Sequence, residues 1–133
     1  MASINTSSSL VEDQVMDRMT VTKIYEFSAA HSLPMVSDDH KCKRLHGHNW
    51  IVKVSVCGLV QDDGFVCDFA NIDYHVKPLI EELDHQNLND FIENPTSENL
   101  CLYFWNRLKR LSGLYEVLVS ESSKTSCVYR GEK

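Results

Sequence analysis

A chain of 133 residues with 43% hydrophobic and 24% charged side chains has the size and balance of one soluble globular domain with a single core. No apolar run approaches the roughly 18 residues that cross a bilayer, and a net charge of −6 excludes a general nucleic-acid surface. The one dense basic cluster, Lys41, Lys43 and Arg44, suits a small anionic substrate instead.

In chain order, residues 1–19 are rich in Ser, Asn and Asp without a hydrophobic period, and are expected to form a mobile tail ahead of a single domain over 20–133. Five cysteines, an odd number at irregular spacing, make no disulfide framework, and with no secretory signal a reducing, cytoplasmic setting is expected. From Val21 onward Tyr25, Phe27 and Ala29 share one parity with His31, the alternation of a half-buried strand. Leu33 to Leu45 contains Pro34, two aspartates, the basic cluster and Cys42, and reads as a loop. Trp50, Val52, Val54 and Val56 then continue the parity of His46 and His48, which predicts the clearest strand in the sequence.

Asp63-Gly64 supplies the positive φ of a hairpin turn, with a short returning strand expected over Phe65 to Phe69. Ile72, Val76, Leu79, Ile80 and Leu83 recur at helical spacing behind Asp68 or Asn71 as cap, and Pro78 is expected to kink that helix or end its first half. Thr96 caps a second helix whose face is Leu100, Tyr103, Phe104, Leu108 and Leu111, stopped by Gly113. Tyr115, Val117 and Val119 alternate towards Glu121, and a run from Thr125 to Arg130 closes a final hairpin. This order predicts an α+β fold, a mainly antiparallel sheet with helices on one face.

The chemistry gathers around His46-Gly47-His48. Residues two apart on a strand project from one face, so one divalent metal reaches both rings, and His31 on a neighbouring strand supplies a third nitrogen. Three neutral imidazoles suit Zn²⁺ and leave its fourth position open for catalysis. Cys42, among three cations, is favoured as a thiolate and serves as base or nucleophile; alternatively it is the fourth ligand of a purely structural site. Cys57, Cys101 and Cys127 are expected to pack rather than react. Asp84 beside His85 either selects a histidine tautomer or is a polar helix end. Glu121, acidic at the end of a buried face, is either paired with a cation or kept to bind something.

Five stretches in order, Phe27-Ser28-Ala29-Ala30-His31, Cys42-x-x-x-His46-Gly47-His48, Leu83-Asp84-His85-x-x-Leu88-Asn89, Asn94-Pro95-Thr96-Ser97-Glu98-Asn99 and Glu121, closely resemble the 6-pyruvoyltetrahydropterin synthase family. The short spacing between Cys42 and His46 is most like the 6-carboxytetrahydropterin synthase branch, which serves queuosine biosynthesis. The resemblance implies a T-fold, with a four-stranded mainly antiparallel sheet and two helices on one face, assembling into an oligomeric barrel, a hexamer built as a dimer of trimers. It further implies one Zn²⁺ per chain on His31, His46 and His48, a catalytic set of Cys42, Asp84 and His85, and Glu121 as anchor of the pterin ring. The implied reaction is cleavage of 7,8-dihydroneopterin triphosphate to 6-carboxytetrahydropterin with loss of acetaldehyde and triphosphate. Two other readings are the pyruvoyl-forming synthase, which shares every one of these residues, and a non-catalytic zinc-stapled pterin-binding or assembly module.

Overall fold

The structure, a computed structural model, describes residues 17–132; of the expected tail, residues 1–16 lie outside the described residues. Two long strands, β1 (Arg18–His31) and β2 (His46–Leu59), pair antiparallel from Arg18 opposite Leu59 to His31 opposite His46. Tyr25, Phe27, Ala29 and His31 are buried on β1, and Trp50, Val52, Val54 and Val56 on β2, as the alternation requires. The indole of Trp50 donates to the Ala29 carbonyl at 3.1 Å, which satisfies its buried N–H.

β1 starts at Arg18 rather than Val21, so the boundary placed at residue 20 falls inside a strand. Arg18, Met19 and Thr20 pair with Leu59, Gly58 and Cys57 through their backbones and leave their side chains exposed, a pairing that leaves no hydrophobic pattern to read.

The turn at Asp62-Asp63-Gly64 forms, with Gly64 at φ 89°, but no strand follows it. Asp63 accepts from the Phe65 N–H, and Asp68 already caps the next helix by accepting from the Ala70 N–H. Residues 65–68 are therefore spent on a turn and a cap. Helix α1 (Phe69–Leu83) runs on through Pro78. The proline sits on the exposed face, where water can serve the carbonyl that loses its partner, while Ile80 and Leu83 beyond it remain buried in the core.

After α1 the chain adds an unforeseen strand, β3 (Gln86–Asn87), parallel to β1 at Ala29 and Ala30. Helix α2 (Ser97–Arg107) is capped by Thr96, and β4 (Leu114–Ser122) and β5 (Thr125–Tyr129) form the closing hairpin. α2 ends well before Gly113, yet Leu108 and Leu111 remain fully packed in the turns that follow it. Gly113 has φ 80°, and a Cβ there would lie 2.7 Å from the Cys57 carbonyl, so this crossing takes only glycine.

The sheet thus has five strands in the order β3-β1-β2-β4-β5, one more than the four expected. α1 packs against β1 and α2 against β4 and β5, both on the same face. Ile72, Val76, Leu83, Leu100, Phe104 and Leu108 meet the inward valines of the sheet there. The opposite face carries Ile24 and Val128, 57% and 44% exposed.

Candidate metal centre and active site

The antiparallel register sets the site. His31 and His46 face each other on the last rung of the β1–β2 ladder, and His48 follows on the same side of β2. Ligand nitrogens of the three rings all lie within 4.8 Å of one another, with His31 buried and the other two half-buried. Cys42 and Glu121 stand outside this group of three.

Hydrogen bonding fixes which nitrogens face inward. The Nδ1 of His31 is 2.8 Å from the Pro95 carbonyl, and the Nδ1 of His46 is 2.8 Å from the Arg44 carbonyl. A carbonyl only accepts, so both Nδ1 atoms carry protons, and in the neutral rings both Nε2 atoms present lone pairs. Those two Nε2 atoms stand 3.0 Å apart. Two acceptors at that distance repel unless a cation lies between them. Burial, with smaller contributions from the neighbouring imidazoles, holds His31 and His48 below the ordinary histidine pKa, and so neutral, although the Pro95 carbonyl and Glu121 pull the other way on His31 and Glu121 on His48. Neutral imidazoles with backbone-anchored far nitrogens are what a transition-metal site uses, so the residues present fit a metal.

Beside the cluster lies a cavity of 490 Å³ lined by Lys41, Cys42, Arg44, Leu45, His46, His48 and Glu121. Cys42 reaches it from a single 3₁₀ turn, Lys41–Lys43, capped by the His40 ring, which accepts from the Cys42 N–H. Glu121 keeps the parity of Val117 and Val119, and the β4–β5 register breaks between Val119 and Ser122, so its carboxylate stands at the rim of the histidine cluster. Of the three cations in the loop, Lys41 and Arg44 line the cavity. Lys43 does not: its ammonium donates to the Pro34 and Val36 carbonyls and pairs with Asp38 at 3.2 Å, which staples the loop.

Asp84 and His85 are placed elsewhere. Asp84 accepts from the Ser28 N–H at 2.9 Å, His85 donates its own N–H to the Ser28 carbonyl, and the Asp84 carboxylate stands 3.0 Å from His85 Nδ1. His85 is held at φ 62°, a strained conformation for a non-glycine residue that costs about 1–3 kcal/mol and persists because Ser28 ties both His85 and the preceding Asp84. The Ser28 N–H first, and His85 beyond it, hold the Asp84 carboxyl below its ordinary pKa. The His85 ring, 80% exposed, opens onto a separate hollow of 600 Å³ with Ser28, Ala30, Gly47 and Asn49, residues that alternate with the clustered histidines and their inward neighbours along β1 and β2. Of the histidine cluster only His48 borders that hollow. One chain therefore brings His31, His46, His48, Cys42 and Glu121 together and leaves Asp84 and His85 apart.

Two contributors were quoted among the sequence stretches but given no role there. Pro95 offers only its carbonyl, which no residue type betrays. Asn89 accepts from the Ser32 N–H and donates to the Ser32 carbonyl, both at 2.9 Å, clamping the residue after His31; its place in a loop between two helices was the available signal.

A family model described as 6-pyruvoyl tetrahydropterin synthase matches residues 20–132. A 6-carboxy-5,6,7,8-tetrahydropterin synthase of Synechocystis is 34% identical over 119 residues, 82% of this chain and 91% of that protein. A dihydroneopterin monophosphate aldolase of Pyrococcus furiosus is 36% identical over 84 residues, 63% of this chain and 69% of that protein. The solved structure of Caenorhabditis elegans 6-pyruvoyl tetrahydropterin synthase superposes with a TM-score of 0.79 at 31% identity, covering 88% of this chain and 98% of that one. Match, register and site geometry agree, and the chain belongs to the 6-pyruvoyl tetrahydropterin synthase family.

Proposed function

We propose that this chain is a zinc-dependent lyase that converts 7,8-dihydroneopterin triphosphate to 6-carboxy-5,6,7,8-tetrahydropterin, releasing acetaldehyde and triphosphate. The observation that carries the reading is the single cavity in which a thiol, two of the clustered imidazoles and an acid meet under a cationic rim. His31, His46 and His48 would hold the zinc, which when bound supplies Lewis acidity toward the side-chain oxygens of the substrate. Glu121 offers two acceptor oxygens to the amino and ring N–H groups along one edge of a pterin. Lys41 and Arg44, which line the cavity, would meet the triphosphate, and Lys43, engaged within its loop, would not.

Proton transfer falls to Cys42 and His85. Asp84 beside Nδ1 fixes the tautomer of His85 and leaves its other nitrogen to carry a proton to or from the substrate. Since His85 opens onto the hollow on the other side of the ladder, we infer that a neighbouring copy brings its dyad to the Cys42 cavity. The open edges of the sheet, β5 on one side and most of β1 on the other, favour assembly by sheet extension into a trimer, and the partly apolar outer face favours closure into a barrel, which we take to be a hexamer. Five free thiols suit a cytoplasmic enzyme, and the product class suits queuosine biosynthesis.

Incubation of the zinc-loaded protein with dihydroneopterin triphosphate, followed by mass spectrometry of the pterins and an aldehyde assay, tests the reading. A carboxypterin with stoichiometric acetaldehyde supports it. A pyruvoyl product without aldehyde assigns the chain to the sister reaction, and turnover of the monophosphate alone removes the triphosphate.

A further inference from the structure

Glu121 has more than one thing within reach. Its Oε2 stands 3.6 Å from Nε2 of His48 and 3.9 Å from Nε2 of His31. Nitrogen and oxygen donors lie about 2.0–2.2 Å from a tetrahedral zinc, which sets neighbouring donors about 3.3–3.6 Å apart. The His31–His46 separation of 3.0 Å falls short of that range, and the two carboxylate distances lie at its upper end and beyond it, so the side chain must swing inward to complete the set. Among the described residues the Glu121 carboxylate has no hydrogen-bond or ion-pair partner except these two imidazoles. The side chain is 35% exposed, so its two-methylene stem is free to rotate inward to the metal or outward to the cavity.

We propose that Glu121 is an exchanging ligand: it closes the fourth position of the metal in the resting protein and leaves it when a pterin ring arrives. The step is a ligand exchange with no bond to carbon made or broken. This rests on the pterin-binding reading above, because the ring edge takes both carboxylate oxygens whereas the metal takes one. The two engagements call for different orientations of one carboxylate and so compete. Ring recognition would thereby open the metal to the substrate side chain, and water would be kept from that position until a pterin is seated.

Cobalt is the probe, because its visible absorption reports coordination directly. In the Co²⁺-loaded full chain, Glu121→Gln is expected to shift the visible bands and weaken Co²⁺ affinity at least tenfold, about the smallest loss seen when a metal-site partner is removed. Glu121→Ala should behave alike, and added acetate should restore its bands. Dihydropterin, a ring without the side chain, should move the bands of the wild-type protein toward those of Glu121→Gln and leave the variant unchanged. Equal affinity and superposable bands in wild type and Glu121→Gln, with circular dichroism showing both folded, overturn the proposal. Dihydropterin that binds by fluorescence without moving the wild-type bands also overturns the exchange. Dihydropterin that does not bind at all overturns the pterin reading itself and the exchange with it, a failure told apart from the others by the missing fluorescence change.

Discussion

The Nδ1 of His31 donates to the carbonyl oxygen of Pro95 across 2.8 Å, so the connection between the two helices grips the most buried ring of the histidine cluster by its far nitrogen. The same connection grips the backbone one residue on, through the Asn89 amide on Ser32. Ring and backbone are thus held by one segment. Asn89→Ala is expected to lower metal affinity about tenfold, as loss of an outer partner does, and to cost the metal-free protein about 1–3 kcal/mol. Chelator competition and urea unfolding measure the two effects. Unchanged metal affinity in Asn89→Ala would remove its positioning role.

Metal content separates the catalytic site from a staple. Replacing His31, His46 or His48 by Ala should each reduce bound zinc well below one per chain, whereas Cys42→Ala should keep it. Elemental analysis after dialysis decides this. Zinc lost from Cys42→Ala would return the thiol to the ligand set and favour the zinc-stapled module.

Separation of the dyad from the thiol within one chain makes a mixing experiment informative. Cys42→Ala and His85→Ala should each be inactive, and a mixture unfolded and refolded together should regain part of the wild-type turnover. Recovery requires that one intact thiol and one intact imidazole from different copies meet. A mixture as inactive as its parents, shown by native mass spectrometry to contain mixed assemblies, would place both groups in one chain's site.

Acid should loosen β1 from its partners in a defined window. Lys23 first, then Tyr25, hold the Asp73 carboxyl below its ordinary 3.8, and the Ser28 N–H does the same for Asp84. A depressed carboxyl contributes stability in full above its unfolded value and loses it as pH falls through the folded one. Unfolding free energy should therefore drop below about pH 4, and drop less steeply in Asp73→Asn and Asp84→Asn. Identical acid profiles for wild type and both variants would show that these contacts do not stabilise the fold.

Much of this was legible in the sequence where a side-chain period exists. The parity running from His46 through Val56 fixed both a strand and the face its histidines share, and it needed only the β1–β2 register to bring His31 to His46. Glu121 likewise lies on the face that its parity with Val117 and Val119 indicates. The failures are backbone events. β3 is two residues whose pairing with Ala29 and Ala30 leaves no period, Arg18 to Thr20 pair without burying anything, and Phe65 to Phe69 look strand-like while their hydrogen bonds serve a turn and a cap. The position of His85 across the ladder depends on where α1 ends relative to Ser28, a tertiary fact that no local pattern holds.

The rung that joins His31 to His46 also closes a loop, and everything from Ser32 to Leu45 hangs from it. A cation shared across that rung would be a hasp as well as a catalyst, since it would tie the two ends of the segment carrying Cys42, Lys41 and Arg44 and spare the backbone the entropy of holding them. Chelation should thus slacken this loop before it melts the sheet. Trypsin would be expected to cut at Lys41 or Arg44 sooner in the metal-free protein while strand content by circular dichroism stays level, and equal cutting rates with and without metal would mean that the ladder alone keeps the loop shut.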